Sequence, residues 1–133
     1  MAHVLELPNK LQLDGPIWLA VQQQLYRGWG PVFGPVEIGS LLTALALVAA
    51  RWRSGPSLWR TILAAVAYAA MLGVFFAVND PVNRALATWT PDALPAGWPD
   101  YRLRWEIGHA LSAVFSILAL TALIGAWQRD AAA

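Results

Sequence analysis

Three stretches of the chain constrain it more than anything else. Residues 32–50, VFGPVEIGSLLTALALVAA, carry one charge, Glu37, near their start. Residues 58–78, LWRTILAAVAYAAMLGVFFAV, are uncharged from Thr61 to Val78. Residues 107–127 hold an uncharged run from Ala110 to Trp127. Each is about the length of helix that crosses a hydrocarbon core of roughly 30 Å. The chain has 133 residues, room for one domain. Its residues are 58% hydrophobic and 13% charged, against roughly 45–50% and about 25% in soluble domains. The expected fold is all-α: a transmembrane helical bundle with three spans, its partner the lipid bilayer.

Several function classes fall away at once. A net charge of +1 provides no basic footprint for nucleic acid. With no Cys there are no disulfides, thiolate metal sites or Cys nucleophiles. The first fifteen residues include His3, Glu6, Asn9, Lys10 and Asp14 and have no apolar core of the signal-peptide kind. There is no Ser/His/Asp spacing, Gly-rich phosphate loop or H-E-x-x-H motif.

The segments around the spans have their own patterns. His3 and Glu6 share a face on a helix, and Pro8 is expected to end it. Asp14-Gly15-Pro16 reads as an N-cap with Pro in the first turn. It opens an amphipathic helix, 16–29, on which Ile17, Trp18, Val21, Leu25 and Trp29 recur at helical spacing while Gln22, Gln23 and Arg27 face elsewhere. Two readings fit it: a helix lying in the membrane interface with its Trp and Tyr at headgroup level, or one packed on protein. Residues 79–106 form the long connection. Arg51, Arg53, Arg60 and Arg129 gather at the opposite ends of the spans, which puts those ends in the cytoplasm of an inner-membrane protein and residues 1–31 and 79–106 outside.

That topology brings the polar residues to one depth. Glu37, Asn79, Asn83, Trp105, Glu106 and His109 all fall at the outer ends of the spans, and ionisable groups there mark a candidate site. Glu106-x-x-His109 puts a carboxylate and an imidazole on one helical face. Two His and a carboxylate are available for a mononuclear metal site. The competing reading pairs Glu106 with Arg102 or Arg104, so no metal ligand is assigned and the cofactor is unknown. In Asn79-Asp80-Pro81-x-Asn83, Asn79 is expected to cap the second span and Pro81 to start a fresh turn over 81–88, with both amides also placed to bind a ligand. Trp89, Trp98, Tyr101 and Trp105 make an aromatic belt or a stacking site for a flat ligand. Glu37 needs a partner, with His109, Lys10 or a loop Arg as candidates.

The run Asn79-x-Pro81-x-Asn83, Trp89, then Trp98-x-x-Tyr101-x-x-x-Trp105-Glu106-x-x-His109 resembles the anthrone oxygenase-like membrane proteins, mostly known as a domain of unknown function. The resemblance extends to HVLELPNKLQLDGPIWLAVQQQLYRGWG near the N-terminus. It implies a four-helix membrane bundle whose first helix would lie upstream of Met1. Members often carry a basic residue just after the His, where this chain has Ala110 and Ser112. Members with an assigned role oxidise anthrones to anthraquinones with molecular oxygen. The resemblance therefore implies oxidation of an apolar aromatic small molecule, by a cofactor-independent or metal-dependent route. Glu106 or His109 would be the base, and Glu37, Asn79, Asn83, Trp89, Tyr101 and Trp105 would hold the substrate. The alternative is a non-catalytic ligand binder or packing subunit, and a homo-oligomer is left open.

Overall fold

The computed structural model describes residues 2–53, 55 and 57–132, with side chains from Leu5 onward. The side chain of His3 and the position of Pro56 lie outside the described residues. All described regular structure is helical. The elements are α1 (Ala2–Lys10), α2 (Gly15–Ala20), α3 (Trp29–Arg51), α4 (Leu58–Val74), α5 (Asp80–Leu86) and α6 (Trp98–Ala131). Wide π-type turns follow α2 at Val21–Leu25 and α4 at Phe75–Asn79. Three helical stretches are long and apolar enough to cross a membrane: Trp29–Arg51, Leu58–Leu86 and Trp98–Ala131. The chain is a multi-pass membrane protein.

The packing has the logic of a bundle whose solvent is lipid. Helix α4 lies between α3 and α6 and packs along both. Its seam with α6 is made of Ala64, Ala67, Ala119 and Ala122, flanked by Tyr68 and Leu123. Small residues let helix backbones approach closely where no hydrophobic force drives helices together. The large apolar side chains point outward instead, among them Ile62, Leu63, Val66, Leu118, Leu120 and Ile124. On α3 only Ala44 is fully buried.

The two ends of the bundle are built differently. At one end Arg51 reaches Asp130 with Nη2 at 2.8 Å, the Ser57 hydroxyl donates to the same carboxylate, and Arg60 Nη1 donates to Gly125 O at 2.6 Å. These contacts tie α3, α4 and α6. At the other end a cap folds over α5 and the start of α6. Its core is Trp18, Leu19, Val82, Leu86 and Trp105, surrounded by rings including Tyr26, Trp89, Trp98 and Tyr101.

Local expectations are corrected in three places. The 16–29 helix is not continuous. Asp14 caps it through Ile17 N at 2.9 Å as expected, but regular α-helix ends at Ala20 and Gly28 at φ +86° turns the chain into α3. Only glycine holds that left-handed backbone without strain. Trp18 is fully buried and stands 5.9 Å from Trp98, so it packs on protein rather than on headgroups. Pro8 does not end α1, which continues to Lys10. Asp80-Pro81 does not stop the second long helix either. The π turn sets Asp80 N–H back five residues to Phe75 O. That extra residue re-registers the helix just where Pro81 has no N–H to donate, and the helix carries on to Leu86.

Candidate functional site

A cavity of about 1130 Å³ opens at the cap end, between the start of α3, the π turn after α4, α5 and α6. Of the sequence-predicted residues, Glu37, Asn83, Trp89, Trp105 and His109 line it. Five more rings join the wall, Tyr26, Trp29, Phe33, Phe75 and Phe76, beside small and aliphatic residues and the polar Gln22, Gln23 and Arg27. Both π turns contribute, one through Gln22 and Gln23 and the other through Phe75 and Phe76. Such turns rotate side chains out of the α-helical register, which is why they recur at functional sites.

Trp105 is the most firmly held wall residue. Its indole Nε1 donates to Asn83 Oδ1 at 2.8 Å. Its carbonyl accepts from Asn79 Nδ2 at 3.0 Å. Tyr26 stacks on it at 5.8 Å and Lys10 Nζ sits over its ring at 4.6 Å. The His109 ring lies 4.0 Å away on the next turn of α6. Asn79 is therefore an interhelical strut rather than a helix cap, fully buried beneath the cavity wall. Gly108 makes this arrangement possible, since a Cβ there would collide with the Asn79 amide.

Glu106 and Tyr101 stand outside the cavity wall. Glu106 is 4% exposed and faces α1, where Lys10 Nζ meets its Oε1 at 3.2 Å. Its partner is thus Lys10 rather than Arg102 or Arg104. Arg102 instead donates to Leu13 O at 2.9 Å and lies over the Trp98 ring. Lys10 also approaches Glu6 at 3.5 Å, and Glu6 accepts from the Tyr26 hydroxyl. Burial, and Glu6 beside it, raise the Tyr26 phenol well above its ordinary range. Tyr101 backs the wall from behind, edge-on to Trp89 at 4.9 Å. Among the described residues, no ion pair reaches Glu37, and Lys10 is engaged elsewhere. Among them, too, no group of three or more His, Asp and Glu converges as a metal site.

Gln22, Gln23, Tyr26, Phe33, Phe75 and Phe76 were not among the predicted site residues. Helical spacing puts Gln22 and Gln23 on the face away from the apolar stripe, but it assumes an α-helix through what is a π turn. The available signal is the Gln22-Gln23-Gln24 run, set between the apolar Val21 and Leu25.

Two observations allow the chain to be placed among known proteins. No curated protein and no solved structure matches it. The family model described as anthrone oxygenase matches residues 23–122, from the first π turn through most of α6. That span contains Glu37, Asn79, Asn83, Trp89, Trp105 and His109, so the cavity is built largely from residues inside the match: the chain belongs to the anthrone oxygenase family.

Proposed function

We propose that this protein, seated in the cytoplasmic membrane with its arginine-rich end inward, binds a flat apolar aromatic molecule in the ring-walled cavity and oxidises it with molecular oxygen. The observation that carries the reading is the make-up of the wall. Large aromatic rings recur around a mostly apolar wall, with polar groups including His109, Asn83, Glu37 and Arg27 set among them. Cavities with that pattern suit small, largely apolar ligands held by a few oriented polar contacts. Phe33, Ile38 and Phe76 line the cavity and are also 49%, 46% and 59% exposed on helices of membrane-spanning length. A ligand dissolved in the bilayer would reach the cavity sideways between them.

The chemistry asked of the residues is modest. For a substrate with a methylene between two rings, oxidation to the ketone consumes one dioxygen and releases one water. His109 would take the first proton from that carbon, and the carbanion's electrons pass to dioxygen. Trp105 and Trp89 would hold the ring plane, and Asn83 would orient it. Glu106 takes a positioning role in this reading. Paired with Lys10, it fixes the turn of α6 that carries Trp105 and His109.

The test is oxygen uptake and anthraquinone formation from anthrone, with the protein in nanodiscs under air. His109→Ala should lose at least about a hundredfold in rate, the usual scale of a general base, while its thermal midpoint stays near wild type. Equal rates in both proteins would sink the base assignment. Tight anthrone binding without turnover would instead make the protein a ligand binder.

A further inference from the structure

Among the described residues, one alone both lines the cavity and buries a side-chain polar atom without a hydrogen-bond partner. It is Gln22, through Nε2. Its neighbour shows what an ordinary structural glutamine does here. Gln23 spends its amide hydrogens on Leu86 O at 2.8 Å and Trp89 O at 2.9 Å, closing the end of α5. The Trp18 Nε1 is also buried without an acceptor, but Trp18 sits in the cap core and does not line the cavity. An orphaned buried donor is uncommon and costs free energy, so one that faces a cavity points to a partner held there.

We infer that Gln22 is a ligand-binding residue whose amide N–H donates to a neutral carbonyl oxygen on the aromatic molecule held in the cavity. An N–H donor calls for an acceptor. Arg27 and Glu37 both line the cavity, so its charged residues do not by themselves select an anion, and the mostly apolar walls make desolvating one costly. A carbonyl conjugated to a ring system is neutral, flat and an acceptor only. It lets the rings stack on Trp105 and Trp89 while its oxygen meets Gln22. The inference rests on the cavity being an aromatic-ligand site, and it adds a residue that selects among aromatic ligands.

The experiment uses two probes with the same three fused rings, anthraquinone and anthracene, which differ in the carbonyl oxygens. Binding to the full chain in nanodiscs is read by quenching of tryptophan fluorescence. Gln22→Met keeps the length of the side chain and removes the donor. Its affinity for anthraquinone should fall about tenfold, the scale of one hydrogen bond with its partner left unpaired, while anthracene binding stays within about twofold. An unchanged anthraquinone affinity, or equal losses for both probes, overturns the inference and leaves the cavity reading in place. Failure of the wild type to bind either probe overturns both. A second readout needs no ligand. Gln22→Met should melt no lower than wild type, and Gln23→Met should melt lower. If Gln22→Met unfolds the bundle, its amide is structural and the inference is wrong.

Discussion

The seam between α4 and α6 and the cap over their far end are both helix contacts, yet they use opposite materials. In the seam, Ala64, Ala67, Ala119 and Ala122 bring backbones together and leave no room for anything else. In the cap, Trp18 and Trp98 pack in the core while Tyr26, Trp89 and Trp105 stand at the edge of the cavity. Methyl groups close an interface, whereas rings prop it open because their rigid planes meet at angles such as the 74° between Trp89 and Tyr101. The difference also extends to charge. The four seam alanines carry no charge, while behind the cap wall an ion pair is buried between Lys10 and Glu106.

The contrast predicts where the molecule breaks. The largest effect should come from Lys10→Met, which leaves Glu106 buried without its cation. Loss of one partner of a buried pair costs about 3–5 kcal/mol, read as a lower denaturation midpoint in detergent. The double variant Lys10→Met/Glu106→Leu should recover most of that loss. If the single variant is as stable as wild type, the pair does not hold the cap. Next comes Ala119→Leu in the seam, where overpacking costs about 1–3 kcal/mol. Its effect should appear in stability and leave ligand affinity in the cavity nearly unchanged. A seam variant that alters binding more than stability would show the two regions to be coupled. The smallest effect belongs to Arg51→Ala. Its contact with Asp130 is partly open, with side-chain exposures of 22% and 28%, and such pairs contribute about 0.2–1 kcal/mol.

Much of the site was legible because the polar residues of an apolar chain have few places to go. Glu37, Asn83, Trp89, Trp105 and His109 stood out by chemistry and by depth, and they line one cavity. Glu106 stood out equally, but the direction of its side chain depends on where α1 returns, and no local pattern encodes the contact with Lys10, 96 positions earlier. Helical spacing turns Gln22 and Gln23 away from the apolar stripe, but the π turn at Val21–Leu25 breaks the period that such reasoning assumes.

On its own the sequence determined the helical class, the three crossings, the cap at Asp14 and the family to which the chain belongs. These follow from run length, hydropathy and short motifs, which are local quantities. Tertiary structure alone decided that Asn79 braces Trp105, that Pro81 is absorbed into a continuous helix, and that Lys10 lies over the Trp105 ring. Each of these joins residues far apart in the chain or depends on backbone register. Such placements are set by packing, and only the folded bundle carries that information.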